Sequence, residues 1–382
     1  MSALKFNSNA EPTLGVELEL ALVDTQTGAL SSAAPAILAN IPEAIAGSVK
    51  PELMQCYIEI NSGVCRTVDE VRGDLGAKLE IVESVADAEN VALYWSATHP
   101  FSRWQDQTPT QQTRYLRLLE TLQDMGRQLV TFGLHVHVGV DSGDKAVAIC
   151  DRILRRLPLL LALSANSPWW NGRKTGLLSH RSKIMEGLPT AGLPPLMRNW
   201  SEYVWLVSHL EETSFIHSIR DIWWTVRPHH NFGTVEVRVC DMPGSLDHAL
   251  AIAALVQCLV TDLSDEIDAG TYQHDCHPML VRQNLWRAER FGLDAELIDP
   301  FTHEARPARE TLGELIARLA PKADALGCLP HLQAAREMAA GPTWAEMQLD
   351  SARNAETSTD HILGMAAGSR ISPPAESRAV GD

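Results

Sequence analysis

The alternation of apolar and polar residues is clearest in the stretch TLGVELELALVD, which begins at Thr13. Every second residue from Leu14 to Leu22 is apolar, and this period of two predicts a strand over residues 13–24. The DTQTG sequence that ends this stretch is typical of a hairpin turn. Stretches rich in strand-forming residues predict further strands over residues 52–61, 91–97, 134–140, 221–227 and 233–240.

Helical periodicity follows the second of these strands and dominates the last third of the chain. Thr67 and Glu70 have the spacing of a capping box, and an apolar stripe at helical intervals continues from Val68. Further helices are predicted over residues 111–130 and 145–162, and most of 245–367 is predicted to be helical. Because strands come first and helices later, the order predicts an α+β fold with an antiparallel sheet.

Two segments do not follow either periodicity. Residues 164–200 are rich in Pro, Gly, Ser and Trp, and an irregular segment of this length in a compact protein is usually functional. The last stretch, residues 368–382, is predicted to be a disordered tail, which leaves residues 1–367 as one predicted domain. The chain has neither GxGxxG nor GxxxxGK[ST], so nothing indicates a Rossmann or P-loop site.

The charge of the chain limits its partners. The 382 residues carry a formal net charge of −16, which argues against nucleic-acid binding, because phosphate neutralisation needs clustered Lys and Arg. The most apolar runs, LPLLLALSA and residues 249–260, are shorter than the roughly 20 residues of a membrane span. Seven scattered cysteines without a CxxC pair are typical of reduced thiols. We therefore expect a cytoplasmic protein that acts on small molecules, without a membrane partner.

Polar side chains recur two residues apart on four predicted strands, and such pairs share one face of a strand. Opposite faces carry Val, Ile or Leu, so one sheet face is predicted to be apolar and the other to collect ionisable groups. Solvated strand faces normally carry Lys, Thr and Ser, whereas these pairs are mostly Glu and His. The pairs are Glu17 with Glu19, Glu59 with Asn61 (and Glu52 before them), His135 with His137, and Glu236 with Arg238.

Concentrated carboxylates need a positive counter-charge, and oxygen-rich groups with an occasional imidazole suit Mg²⁺ or Mn²⁺. Such ions commonly bridge the phosphates of a nucleotide, which points to phosphoryl-transfer chemistry. Arg238 and Arg227 are predicted to clamp the phosphates. For His137, a direct ligand role, an indirect donor role and simple packing all remain open.

Other polar residues have a binding and a structural interpretation. In SHRSKIMEG, Arg181 and Lys183 are candidate contacts for ATP phosphates or a substrate carboxylate, or they belong to a solvated loop. Arg198 is a further candidate, and His99 either contacts the substrate or satisfies a loop carbonyl. For four tryptophans, a place in the core is favoured over stacking on adenine. For two histidines, a place in a turn is favoured over a role as catalytic base. These are Trp169, Trp170, Trp223 and Trp224, and His229 and His230.

The segments GVELEL, YIEINSG, GLHVHVGV, SANSPWWNG, SHRSKIMEGLPTAG and RPHHNFGTVEVRVCD occur in this order. They resemble the bacterial carboxylate–amine ligases, also called glutamate–cysteine ligase type 2. The resemblance implies an antiparallel sheet curved into a funnel with helices on its outer face, as in the glutamine synthetase catalytic domain and the guanido kinases. It also implies ATP-dependent activation of a carboxylate, the γ-carboxylate of glutamate in the best-known members, as an acyl phosphate that an amine such as cysteine attacks.

The resemblance further implies roles for individual residues. Arg238 is expected at the transferring phosphate, and Glu59 in the same catalytic set. Leu18 stands where many relatives have Glu, but it points to the apolar face. Metal ligands are implied at Glu17, Glu19, Glu52, Glu59, His135 and Glu236.

Three alternatives remain open. A zinc hydrolase using His135 and His137 needs only three protein ligands. A phosphotransferase of the same fold would phosphorylate a guanidino or amino group, and a nucleotide-binding protein would not turn over. The amine is not specified by any short motif, and a homodimer is plausible.

Overall fold

A computed structural model describes residues 4–271, 276–354 and 362. A seven-stranded antiparallel sheet holds the strands in the order β10–β11–β5–β1–β3–β2, and β4 also pairs with β1. Its strands are β1 (Leu14–Asp24), β2 (Val49–Pro51), β3 (Tyr57–Asn61), β4 (Val91–Tyr94), β5 (Gly133–Gly139), β10 (Val226–His229) and β11 (Thr234–Asp241). Three two-stranded pairs join β6 (Trp169–Trp170) to β7 (Arg173–Lys174), β8 (Ala191–Gly192) to β9 (Trp223–Trp224), and β12 (Glu296–Ile298) to β13 (Ala305–Pro307).

Strand β1 organises this sheet because it has three partners. Its first half pairs with β5, its second half pairs with β4, and β3 runs along the other edge. Leu14, Val16 and Leu18 are buried beneath the sheet, whereas Glu17 and Glu19 are partly exposed on the opposite face. The predicted alternation is therefore confirmed by the burial of the strand.

Helices cover the apolar face of the sheet. The helix α3 contacts β1, β3 and β4, and α10 contacts β5 and α6 as well as α12 and α13. The helices are α1 (Ala34–Asn40), α2 (Glu43–Ala46), α3 (Val68–Ala88), α4 (Thr113–Leu122), α5 (Asp124–Arg127), α6 (Gly143–Ile153), α7 (Leu157–Ser164), α8 (Arg181–Glu186), α9 (Trp200–Glu212), α10 (Leu246–Asp268), α11 (Pro278–Phe291), α12 (Ala308–Ala325), α13 (Leu329–Ala340) and α14 (Trp344–Asn354). Short 3₁₀ turns lie at Trp104–Asp106, Leu154–Arg156, Ile219–Asp221 and Gly292–Asp294. This is the predicted α+β architecture.

The helix α10 is long and apolar enough to cross a membrane by length and composition, the one such helix in the described ranges. Most of its apolar window is buried inside the protein, and residues Ala249–Val260 are all buried. Such burial is what a central core helix requires. The prediction that residues 249–260 form a buried element is confirmed.

Several predicted boundaries are wrong for local reasons. The strand predicted over 52–61 begins only at Tyr57, because residues 53–56 form a turn after β2. The helix predicted over 111–130 is interrupted at Gln123, whose φ of +51° is not helical. A 3₁₀ turn and a proline near the start of α7 divide the helix predicted over 145–162. The predicted tail, 368–382, lies outside the described residues.

The N-terminal segment lies across one end of the sheet. The backbone N–H of Asn7 donates to the carbonyl of His230, and that of Asn9 donates to the carbonyl of Val140. Gly233 has a φ of +65°, and a Cβ there would overlap the carbonyl of Asn7. Residues 7–9 therefore fix the loop between β10 and β11.

Candidate active site

The polar face of the sheet forms the floor of a cavity of about 430 Å³. Strand register determines which side chains meet there. Glu17 lies opposite both His135 and Asn61, and Glu19 lies opposite Glu59. On the far side of β5, Glu236 lies opposite His137. The cavity is lined by ten of the predicted site residues: Glu17, Glu19, Glu52, Glu59, His135, His137, Arg181, Arg227, Glu236 and Arg238.

Glu17 lies between the two histidines of β5. Its Oε2 is 3.0 Å from Nδ1 of His135, and its Oε1 is 3.3 Å from Nε2 of His137. Burial opposes ionisation of this carboxylate, but contacts with His135 and His137 offset it and hold the pKa of Glu17 well below its ordinary value. Glu17 is therefore a carboxylate at neutral pH.

A second group of carboxylates lies on the β2–β3 side of Glu17. Burial and repulsion by Glu59 and Glu19 raise the pKa of Glu52 well above its ordinary value. Burial and Glu17 also raise the pKa of Glu59, although Nζ of Lys50 is 3.2 Å from its Oε1. Nearby positive charge therefore does not compensate the negative charge of Glu52 and Glu59 when they ionise.

Glu236 has the opposite surroundings. Burial opposes its ionisation, but the charges of Arg227, Arg238 and His137 hold the pKa of Glu236 well below its ordinary value. Nε of Arg227 donates to Oε2 of Glu236 at 2.6 Å, and Arg238 donates to Oε1. The Nη1 group of Arg227 donates to the carbonyls of Ile219 and Ile222. Arg227 is thus committed to protein acceptors, whereas Arg238 faces the cavity.

Three groups of side chains could each hold a divalent cation. Within each group, the ligand atoms lie within 4.8 Å of one another. They share Glu17 and Glu59, so the groups form a continuous row across the sheet. Nε2 of His135 is buried and makes no hydrogen bond within the described part of the chain; Oε1 of Glu19 is 3.8 Å away. Buried polar atoms normally have a partner, and a cation would supply one. The groups are Glu17, Glu59 and His135; Glu17, His137 and Glu236; and Glu19, Glu52 and Glu59.

Three predicted binding residues are not brought to this cavity. Lys183 pairs with Glu289 at 2.5 Å and with Glu186. Arg198 is exposed beside its partner Glu202. Nε2 of His99 is 2.9 Å from the carbonyl of Gly28, and its Nδ1 accepts the backbone N–H of Ser102 at 2.9 Å. None of the three is among the described lining residues. His99 contacts the carbonyl of Gly28, the loop carbonyl that was its alternative, whereas Lys183 lies on α8 and not in a solvated loop.

Arg181 reaches the cavity because a buried network fixes the irregular segment that carries it. Asp241 accepts hydrogen bonds from the hydroxyls of Ser167 (2.7 Å) and Ser179 (3.0 Å), and the backbone N–H of Arg181 donates to the Ser167 hydroxyl. A Cβ at Gly133 would overlap the Arg181 guanidinium, so the glycine makes room for it. Residues 164–200 thus include a residue that lines the cavity.

Several residues that line the cavity were not predicted from the sequence. Lys50 is placed by the β2–β3 register, opposite Glu59, and its position two residues before Glu52 was a usable signal. Arg114 and Arg220 come from a helix start and a 3₁₀ turn, where no local pattern marks them. Tyr57 and Tyr115 also line the wall. These residues come together only through tertiary packing.

The aromatic residues divide between the core and the cavity. Trp170 and Trp224 are buried in the core, as expected, whereas Trp223 lines the cavity. His229 also lines it, 4.2 Å from the ring of Phe232, and burial lowers the pKa of His229 to about 4. His229 is therefore neutral near pH 7.

The chain has the fold of solved glutamate–cysteine ligase and glutathione synthetase structures. A glutamate–cysteine ligase from Francisella tularensis, solved in complex with AMP, superposes with a TM-score of 0.71 at 13% identity, over 95% of this chain and 89% of the other. A bifunctional glutathione synthetase from Pasteurella multocida gives a TM-score of 0.72 at 13% identity, over 94% of this chain and 52% of the other. The predicted fold class is confirmed.

The chain belongs to the glutamate–cysteine ligase family 2 (GCS2), whose profile matches residues 13–357. A Gloeobacter violaceus protein named "Putative glutamate--cysteine ligase 2" is 42% identical over 333 residues, which cover 87% of this chain and 90% of the relative. A Thermobifida fusca protein of the same name is 40% identical over 339 residues, with coverage of 88% and 85%. The predicted family resemblance is confirmed.

Proposed function

We propose that the protein is an ATP- and Mg²⁺-dependent carboxylate–amine ligase. It joins a carboxylate, the γ-carboxylate of glutamate, to an amine such as the amino group of cysteine, and it releases ADP and phosphate. The observation that carries the proposal is the row of three overlapping ligand groups beside Arg238 on one sheet face. Family membership supports the ligase class, and the AMP in the Francisella tularensis complex supports nucleotide binding.

The proposed roles follow from the position of each group. Glu17, Glu59 and Glu236, with the two histidines of β5, would hold Mg²⁺, which neutralises phosphate charge when bound. Arg238 lines the cavity and stabilises the phosphoryl group during transfer. Arg227 acts on Glu236 and holds its carboxylate in place.

The proposed reaction has two displacements. A carboxylate oxygen attacks the γ-phosphorus of ATP, and ADP leaves as an acyl phosphate forms. The amine nitrogen then attacks the acyl carbon, the carbon–oxygen bond to phosphate breaks, and the nitrogen loses a proton to complete the amide. Nearby cations lower the barrier of the first step because charge develops on the phosphate oxygens. We assign this role to Arg238 and Arg181, which both line the cavity.

Product analysis tests this proposal against its rivals. The protein is incubated with ATP, Mg²⁺, glutamate and a panel of amines that includes cysteine, and ADP, phosphate and condensed product are measured. The ligase requires ADP and phosphate release that depends on both carboxylate and amine. A stable phosphorylated product would instead identify a phosphotransferase. ATP-independent turnover lost on zinc chelation would identify a hydrolase, and nucleotide binding without turnover would leave a binding protein.

A matched pair of variants links the activity to the sheet face. Glu236→Gln keeps the shape of the side chain but removes the negative charge that a cation requires, so turnover should fall by at least about a hundredfold. Glu211→Gln, on the exposed face of α9, removes an equal charge away from the cavity and should leave turnover unchanged. Circular dichroism checks that both variants fold. Activity of Glu236→Gln within a few-fold of wild type would refute the proposed metal face.

A further inference from the structure

A second cavity, of about 270 Å³, lies on the helical side of the protein. Its walls come from the start of α7, one face of α11, the β12–β13 pair and α12. Of the described residues, none lines both this cavity and the cavity on the sheet face. We call it the helical cavity.

Four arginines line the helical cavity, although the chain as a whole is strongly acidic. Arg318 pairs with Asp262 at 2.6 Å, and Arg306 pairs with Glu314 at 2.7 Å. Arg155 and Arg156 follow one another in the 3₁₀ turn before α7. Asp299 and Glu314 are the two acidic residues in the described lining. The lining therefore has more positive than negative charge.

Arg156 stands out within this group. Its guanidinium makes no hydrogen bond or ion pair with any residue of the ranges 4–271 and 276–354. Burial, together with the charges of Arg155 and Arg318, lowers the pKa of Arg156 to about 10. The guanidinium stays charged at neutral pH, and a guanidinium carries five N–H donors. An anion in the cavity would accept hydrogen bonds from these donors and relieve the repulsion by Arg155 and Arg318.

One wall of the helical cavity is apolar and held in place. Leu159, Val281, Leu297 and Phe301 contribute hydrocarbon surface. The side chain of Asn284 bonds to both the N–H and the carbonyl of Ile298 at 2.8 Å, which fixes β12 against α11. A cavity with a cationic side and a fixed apolar wall favours a ligand that has a charged head and an apolar body.

We propose that the helical cavity binds a small organic anion, a carboxylate or phosphate ester that bears an apolar group, with its charged end on Arg156 among the arginines of the lining. The proposal does not depend on the ligase activity, because it concerns a separate cavity. The carboxylate and the phosphate share the bidentate chemistry of a guanidinium, so both are included as separate probes.

Calorimetric titration with phenyl phosphate, phenylacetate and inorganic phosphate tests this site. We expect saturable binding of at least one aromatic anion, and binding of inorganic phosphate at least about tenfold weaker, because it lacks the apolar group. Arg156→Gln should weaken binding of the aromatic anion at least about tenfold through loss of charge-assisted hydrogen bonds. Arg282→Gln, which removes an exposed charge from α11, should leave binding unchanged.

Arg306→Gln serves as a second variant with a partly exposed side chain, so loss of folding is not an explanation for both. It should also weaken binding, by a smaller factor. Absence of saturable binding for both aromatic anions would overturn the proposal. Equal affinity in wild type, Arg156→Gln and Arg306→Gln would also overturn it, because the anion would then bind elsewhere, such as in the sheet-face cavity.

Discussion

Replacing Glu59 by Gln should stabilise the metal-free protein and at the same time impair its metal binding. The pKa of Glu59 is raised by burial and by Glu17, so its ionisation weakens folding as the pH rises above the ordinary range of a glutamate. Ligand oxygens in the group of Glu19, Glu52 and Glu59 lie within 4.8 Å of one another. At an effective dielectric of about 20, one ionised pair at that distance costs about 3.5 kcal/mol.

The net gain should be smaller than this repulsion. The raised pKa of Glu52 shifts this carboxyl toward its protonated form, which reduces its repulsion with Glu59. The variant also loses an ion pair with Lys50, whose side chain is 49% exposed, and such pairs contribute about 0–1 kcal/mol. Glutamine keeps an acceptor for the Asn61 amide, which donates to Glu59 at 2.8 Å. We therefore expect the free energy of unfolding to rise by about 1–2 kcal/mol without metal.

Denaturant unfolding in EDTA and in Mg²⁺ measures both effects. Wild type should gain stability on adding Mg²⁺, by linkage, whereas Glu59→Gln should gain much less. Glu80→Gln, an exposed position in the middle of α3, should match wild type in both conditions. If Glu59→Gln is less stable than wild type in EDTA, the repulsion argument fails. Equal stabilisation of both proteins by Mg²⁺ would remove Glu59 from the ligand set.

Three further predictions follow from the fold and the site. Gly233→Ala should lower the free energy of unfolding by about 1–3 kcal/mol in denaturant unfolding, because its φ is +65° and a Cβ would displace Asn7, whereas Gly76→Ala, with open space in α3, should raise it slightly. Arg181→Gln should lower kcat/KM about 10–100-fold in the ligase assay, and Arg198→Gln should not change it. Because the pKa of Glu236 is depressed, its ionised carboxylate stabilises the folded protein at neutral pH, and this contribution is lost as the pH falls through the lowered pKa. When unfolding is measured from pH 7 down to acid, the free energy of unfolding should therefore fall less for Glu236→Gln than for wild type.

Local patterns in the sequence were sufficient for the strands that carry the site. Alternation along β1 placed Glu17 and Glu19 on one face, and matching pairs on β3, β5 and β11 indicated that the faces meet. The strand register could not be predicted from those patterns, because it depends on pairing between segments more than a hundred residues apart, as for Glu17 with His135. The ligand groups and their shared members follow from that register.

Arginine and lysine roles were less predictable, because long side chains choose partners through tertiary contacts. Arg227 was expected to hold phosphate, but its Nη1 bonds to two main-chain carbonyls from the segment before β9. Lys183 was expected in the cavity, but Glu289 on α11, more than a hundred residues later in the chain, binds it. No spacing within SHRSKIMEG indicates the position of that glutamate.

The strand order of the main sheet also affects how the protein is made. Glu17, Glu19, Glu52 and Glu59 emerge from the ribosome long before the β10–β11 hairpin. Domains generally fold as units, so the sheet can be completed only after synthesis has passed residue 241. That hairpin brings two arginines and Thr234, the contact of His137, in a single step. A chain arrested before residue 226 would therefore carry the acidic strands without Arg238, the arginine of the hairpin that interacts with Glu17 and Glu19.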